Sequence, residues 1–167
     1  PEVFANMRAQ QVGQALAISV SRESFAEVFA IAENNGHIFC TIGVHPDRQD
    51  AAEFSVAEMV AQARHPKVVG IGETGLDYYW CKGDLAWQHR RFVDHIQAAN
   101  EAGLPVVVHT RNAAADTLRL LKECNTRAGV IHCFSEDVAF AKAALDLGLY
   151  ISFSGIVTFK NAPLIQE

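Results

Sequence analysis

Short apolar runs alternate along the chain with segments in which apolar residues recur every three or four positions. The runs are flanked by Gly, Pro or polar residues, which indicates buried strands. Strands are predicted at 14–20, 37–44, 68–71, 105–109, 129–132 and 149–153. The segments between them predict amphipathic helices that begin at capping residues and end near Gly, Asn or Pro. Helices are predicted at 2–11, 21–35, 55–64 and 85–102, from Asn112 past Leu121, and from Ser135 to Leu147.

This strict alternation predicts an α/β fold with parallel strands joined by right-handed crossovers. Two architectures fit the pattern: an open doubly wound sheet, and an eight-stranded (β/α)8 barrel of which about six strands are present. No Gly-x-Gly-x-x-Gly motif follows the first strand, which weakens a dinucleotide-binding interpretation. Polar residues at the ends of at least four successive strands favour the barrel, because a closed ring directs all of them to one centre.

Three of these polar residues are of the types that bind metal ions. Glu73 follows the apolar segment 68–71, and Gly72 and Gly75 beside it allow the backbone to bend. His109 and His132 each end an apolar strand, where an imidazole without a partner would be costly. For either histidine alone, a half-buried hydrogen-bonded side chain is an equal alternative. Together, Glu73, His109 and His132 predict a metal site.

Three further residues are candidates for substrate contact. His45 lies after the second strand and is predicted to contact substrate or only to orient its loop. Arg111 is predicted to bind a phosphate through its guanidinium fork, with a salt bridge to Asp116 as the alternative. Lys160 is either a substrate contact or a solvated lysine.

Three more polar residues have weaker signals. Asp77 is predicted either to support a metal ligand or to close a turn. His89 and His95 are six residues apart on one predicted helix, so they face different directions. Both are predicted to lie at the surface.

Composition limits the classes of protein to which the chain can belong. Its 167 residues are 50% apolar and 20% charged, which suits one globular domain. A net charge of −5 leaves no broad basic surface for a long nucleic acid, so a substrate phosphate has to be bound locally. The four irregularly spaced cysteines suit reduced thiols. Without a long apolar run or a signal-peptide pattern, the sequence predicts a cytoplasmic protein with no membrane contact.

Five segments carry short motifs in order across nearly the whole chain. They are GVHP at 43–46, GETGLDYY at 72–79, PVVVHTR at 105–111, HCFS at 132–135 and SFSGIVTFKN at 152–161. Together they resemble the TatD family of metal-dependent deoxyribonucleases, in its YcfH-type branch, within the amidohydrolase superfamily.

The resemblance implies a TIM barrel that hydrolyses the phosphodiester bonds of DNA, often from a 3′ end, with a metal-activated water. It implies divalent ions such as Mg²⁺, Zn²⁺ or Mn²⁺, two in the complete protein. Glu73 matches the catalytic acid that bridges the two metals, and His109 and His132 match ligands of the second metal. DNA is therefore the expected partner, and no protein partner is implied.

The chain departs from the family pattern in two ways. It contains neither the His-x-His pair of the first strand nor the Asp of the last strand, so at most one well-formed metal site is expected in it. Residues 1–167 are accordingly predicted to be one barrel domain truncated at both ends, from a chain of about 260 residues. In addition, Glu136 replaces a glycine that much of the family has after HCFS, which predicts a less anion-friendly loop.

Two other functions remain open at this point. An amidohydrolase-type amidase or esterase would use the same metals on a small molecule and would need no phosphate-binding residues. Alternatively, the truncated chain is an inactive scaffold that binds one ion weakly.

Overall fold

The computed structural model of the chain describes residues 2–166. Its six strands lie parallel in one sheet, and each strand pairs with the strand that precedes it in the chain. They are β1 (Ala15–Ala17), β2 (Ile38–Ile42), β3 (Val68–Asp77), β4 (Val106–Arg111), β5 (Gly129–Ile131) and β6 (Tyr150–Ile151). A doubly wound sheet reverses its strand order at a switch point, and this sheet does not. The six strands therefore form a curled part of a (β/α)8 barrel, and this prediction is confirmed.

Helices occupy every connection between successive strands. They are α1 (Glu2–Ala9), α2 (Arg22–Glu33), α3 (Val56–Gln62), α4 (Ala86–Ala102), α5 (Ala114–Glu123), α6 (Val138–Asp146) and α7 (Pro163–Gln166), with a 3₁₀ turn at Gly155–Thr158. The helices pack their apolar stripes against the sheet, and Phe92 and Ile96 of α4 are fully buried with Ile71 of β3. Within residues 2–166, no helix combines the length and the apolar character that crossing a membrane requires.

Of the four predicted capping residues, two cap a helix and two do not. Ser21 and Ser55 form capping boxes at the starts of α2 and α3, as predicted. Ser135 does not cap α6: the carboxylate of Asp137 accepts the hydrogen bond from the backbone N–H of Phe140, and the helix begins later. Asn112 adopts a left-handed conformation with φ of 55° and turns the chain out of β4 before α5 begins.

β3 is longer than the sequence predicted. It has ten residues and continues past Ile71 to Asp77, so Glu73 lies inside the strand rather than at its end. The pairing of β3 with β4 shifts register between Gly72 and Thr74, which is the pattern of a β-bulge. The bulge redirects the side chain of Glu73. A strand predicted only from the apolar run 68–71 does not anticipate this change.

Gly75 allows β3 and β4 to approach closely beside the bulge. Its φ is 136°, a conformation that side-chain-bearing residues rarely adopt, and a Cβ there would lie 2.0 Å from the carbonyl oxygen of His109. The glycine thus sets the separation between the strand that carries Glu73 and the strand that carries His109.

We expect Gly75→Ala to lower the free energy of unfolding by roughly 3 kcal/mol or more, because strained backbone and a clash with β4 add together. Chemical denaturation, followed by circular dichroism, measures this change. Gly36→Ala is the matched control, since nothing lies within 4 Å of a Cβ at that position. Equal unfolding midpoints for the two variants would contradict the proposed close approach.

Candidate metal centre

The carboxylate of Glu73 is surrounded by three imidazoles. Its Oε1 lies 2.9 Å from Nδ1 of His132, 3.6 Å from Nδ1 of His109 and 4.0 Å from Nε2 of His45. The Glu73 residue is only 7% exposed. The structure therefore brings together the three predicted metal ligands and adds His45, which the sequence assigned to substrate contact.

Parallel strand order explains why residues so distant in the chain meet. His45 follows β2, Glu73 lies in β3, His109 lies in β4 and His132 directly follows β5. The carboxyl ends of neighbouring parallel strands share one edge of the sheet, so side chains there converge. The N–H of His132 donates to the carbonyl of Val108, which extends the pairing of β4 and β5. The N–H of Glu73 donates to the carbonyl of Ser19, which follows β1, a strand that does not pair with β3.

Two of the imidazoles are oriented by carboxylates on their outer side. Nε2 of His109 lies 2.9 Å from Oδ2 of Asp77, and Nδ1 of His45 lies 2.7 Å from Oδ1 of Asp47. An imidazole that donates its proton to an outer carboxylate presents its other nitrogen with a free lone pair. In that tautomer, the nitrogens of His45 and His109 that face Glu73 offer their lone pairs to a cation.

Asp77 performs both of the roles that the sequence left as alternatives. Its Oδ2 supports His109, while its Oδ1 accepts hydrogen bonds from the backbone N–H groups of Tyr79 at 2.9 Å and Trp80 at 2.8 Å. The side chain is fully buried. Asp77 therefore links the imidazole of His109 to the turn that follows β3.

The environment keeps Glu73 charged. Burial alone would raise the pKa of Glu73, but the nearby imidazoles of His109, His132 and His45 outweigh it and lower the pKa to about 2. The hydrogen bond to Glu73 raises the pKa of His132 although burial opposes it. Burial, together with the charge of His109, lowers the pKa of His45. A carboxylate next to neutral imidazole nitrogen is the arrangement that binds divalent cations.

The donor atoms of His45, Glu73 and His109 fit a metal ion in type and spacing. One ligand atom from each of His45, Glu73 and His109 lies within 4.8 Å of the others, and His132 contacts the same carboxylate oxygen. Imidazole nitrogen and carboxylate oxygen suit Zn²⁺, Mn²⁺, Co²⁺ and Mg²⁺. His45 lies beyond the carboxyl end of β2, as His132 does beyond β5, and this shared position is the signal in the sequence that makes it a candidate donor.

A buried polar face of α4 holds the loop of His45, and the sequence missed it. Gln88 donates to the carbonyl of Pro46 at 2.9 Å, and Arg91 donates to the carbonyl of His45 at 2.9 Å. His95 is only 1% exposed, and its Nε2 accepts from the N–H of Val44. The prediction that His95 lies at the surface is therefore wrong: burial lowers its pKa to about 4, and hydrogen bonds satisfy both ring nitrogens.

The sequence contained a signal that His95 is buried. Residues 88, 91 and 95 recur at the three- and four-residue spacing of one helix face, next to the apolar Phe92. His89 lies off this face and is half-buried, with Nε2 at 2.6 Å from the hydroxyl of Tyr78. Polar residues that share a face with a buried aromatic residue indicate a hydrogen-bonded interior rather than solvent.

A cavity of about 640 Å³ opens beside the cluster. Glu73, His109 and His132 line it together with Tyr79, Arg111 and Glu136. Burial raises the pKa of the Glu136 carboxyl, which favours its neutral form, so the prediction of a less anion-friendly loop stays a prediction.

The structure separates the two predicted basic substrate contacts. Arg111 lines the cavity, and its guanidinium stacks over the ring of Tyr79. The alternative salt bridge to Asp116 is wrong, because that carboxylate binds Arg119 and the hydroxyl of Tyr78. Lys160 is exposed and does not line the cavity.

Comparison with protein families gives a match over the whole sequence. The family model described as TatD related DNase matches residues 1–167. The uncharacterized metal-dependent hydrolase YcfH of Escherichia coli strain K12 is 39% identical over 168 residues, which cover 99% of this chain and 63% of that protein. The uncharacterized metal-dependent hydrolase YabD of Bacillus subtilis strain 168 is 35% identical over 169 residues, 99% of this chain and 66% of that protein. The chain thus spans about two thirds of the length of these relatives.

Solved structures with the same fold include two of this family. The crystal structure of YjjV, a TatD homolog from Escherichia coli K12, has a TM-score of 0.81 and 28% identity, covering 90% of this chain and 60% of that one. A TatD family hydrolase from Entamoeba histolytica has a TM-score of 0.72 and 26% identity, covering 85% of this chain and 52% of that one.

We expect Asp77→Asn to weaken the binding of Mn²⁺ or Zn²⁺ by roughly tenfold to a hundredfold, because His109 loses the carboxylate that fixes its tautomer and orientation. Isothermal titration calorimetry on the complete protein measures this affinity. Asp94→Asn, at an exposed position of α4, is the matched control and should bind like the wild type. An unchanged affinity in Asp77→Asn would show that His109 needs no such support.

Proposed function

Because the chain belongs to the family of TatD-related DNases, we propose that it forms the metal-binding part of a hydrolase that cleaves phosphodiester bonds of DNA. One observation carries the proposal: a buried carboxylate and three imidazoles from four neighbouring strands and strand ends converge on one point beside a cavity. The names of YcfH and YabD, both metal-dependent hydrolases, support the same class of activity.

In this proposal, Glu73, His45, His109 and His132 hold a divalent cation. A cation bound there supplies Lewis-acid activation of a water molecule and stabilises charge on the phosphate oxygens. Asp47 and Asp77 keep the imidazoles of His45 and His109 oriented, so little reorganisation is needed when the substrate binds. Mg²⁺, Zn²⁺ and Mn²⁺ all fit this donor set, and a second ion is proposed for the complete protein.

Arg111 favours a phosphate-bearing substrate. It lines the cavity, and within the described residues 2–166 no carboxylate lies at ion-pair distance from its guanidinium. A guanidinium with free donors can bind phosphate oxygens through two parallel hydrogen bonds. The protein carries a net charge of −5, so phosphate binding depends on such a local group and on the cation.

Glu136 favours a second candidate function. Its carboxyl group lines the same cavity and lowers the positive potential there. An amidase or esterase acting on a small uncharged molecule would tolerate this acid, whereas a polyanionic substrate has to keep its phosphates away from it.

We expect Glu73→Gln and His109→Ala each to lower metal-stimulated DNA hydrolysis by about a hundredfold or more. Loss of a residue that orients a metal ligand lowers metal affinity or activity roughly tenfold to a hundredfold, and loss of the ligand itself has a larger effect. The assay follows release of a 3′-terminal label from single-stranded DNA by the complete protein with Mg²⁺, Mn²⁺ or Zn²⁺, with and without chelator.

Glu101→Gln, an exposed carboxylate on α4, is the matched control and should cut DNA at the wild-type rate. Wild-type turnover by Glu73→Gln or His109→Ala would refute the proposed site. If the complete protein cuts no DNA with any of the metals but hydrolyses a small ester or amide, the second candidate replaces the first. If it hydrolyses neither, the chain is a scaffold without catalytic activity.

A further inference from the structure

Three side chains form an exposed group at the mouth of the cavity, which we call the platform: Tyr79, Trp80 and Arg111. The guanidinium carbon of Arg111 lies 4.2 Å from the ring centroid of Tyr79 and 5.5 Å from that of Trp80. The two aromatic rings meet edge to face, with centroids 4.8 Å apart. Tyr79 is 46% exposed and Trp80 is 65% exposed, so large flat surfaces face solvent beside the candidate metal centre.

The platform is held at a fixed position relative to the metal centre. Oδ1 of Asp77 accepts from the backbone N–H groups of Tyr79 and Trp80, while Oδ2 of the same carboxylate contacts His109. The carbonyl of Arg111 accepts a hydrogen bond from the N–H of Tyr78 at 2.9 Å, which joins the turn to the end of β4. Exposed aromatic residues tied so closely to a buried cluster are preorganised for binding.

The platform also lies apart from two exposed aromatic residues at the edge of the sheet. Tyr150, in β6, and Phe153, just after it, are exposed at the edge of the sheet, where β6 has a neighbour on one side only. Tyr79 and Trp80 instead follow β3, and Arg111 is the last residue of β4; these are the two middle strands of the sheet. Their exposure is therefore not a consequence of an unpaired sheet edge.

We propose that the platform binds a nucleobase of a single-stranded nucleic acid whose phosphate lies at the metal centre. This inference rests on the proposed function and names the part of the substrate that the cavity mouth recognises. Aromatic rings and the flat guanidinium group of arginine stack on bases, and this stacking does not depend on which base is present. The platform therefore binds the end or a looped part of a strand, because bases inside a duplex are already stacked on each other.

The test compares binding of two fluorescein-labelled single strands of equal length and phosphate number: oligothymidylate, and an abasic strand without nucleobases. Both strands have phosphorothioate linkages, which resist cleavage, and fluorescence anisotropy measures both affinities for the complete protein with Mn²⁺, so that the cation is in place. We expect the wild type to bind oligothymidylate roughly tenfold more tightly than the abasic strand, as stacking of one or two bases predicts.

Trp80→Ala should remove most of this preference, and Trp80→Phe should keep most of it because a ring remains. The alanine variant retains the backbone N–H that donates to Asp77, so the turn is preserved. Equal wild-type affinities for the two strands, failure of the wild type to bind either strand, or an unchanged preference in Trp80→Ala would each overturn the proposal.

The cleavage assay separates this proposal from the proposed function. If the protein cleaves DNA with metal but binds the two strands equally, the proposed hydrolase function is supported and the proposed base-binding platform is contradicted. If the preference for the strand with bases depends on Trp80 but no metal supports cleavage, the platform is supported as a nucleotide-binding surface and the nuclease function is contradicted.

Discussion

The burial of the Glu73 carboxylate is the constraint on which the rest of this structure depends. An isolated charge in the interior is costly, and here three imidazoles provide the compensation. Because the imidazoles come from different strands and strand ends, compensation is complete only when β2, β3, β4 and β5 lie in register. The same contacts offset the free-energy cost of burying Glu73 and assemble the candidate metal centre.

Asp77 extends this arrangement from the interior to the surface. One of its oxygens fixes His109, and the other fixes the turn of Tyr79 and Trp80. Its own N–H donates to the buried Gln88 of α4, which also holds the loop after His45. A displacement of this single carboxylate would therefore alter the metal centre and the cavity mouth together. In the proposed function, metal binding and base binding are coupled through Asp77.

Much of the fold follows from the sequence, because the periodicity of apolar residues is a local property. Alternating strands and helices predicted a parallel sheet, and polar residues at several strand ends favoured the barrel over the doubly wound sheet. The lengths of the strands could not be predicted in the same way. β3 continues to Asp77 because β4 pairs with it there, and an apolar run records only the buried part of a strand.

For the site, the sequence determined which chemical groups were available: one acid and two histidines at predicted strand ends, with Asp77 and Arg111 nearby. Only the tertiary structure decided which of them meet. It added His45 to the cluster, left Lys160 outside the cavity, and buried His95 against the N–H of Val44. The physical reason is that hydrogen-bonding partners and depth of burial are set by residues far away in the chain. The sequence specifies the type of each side chain, whereas the fold determines which residues surround it.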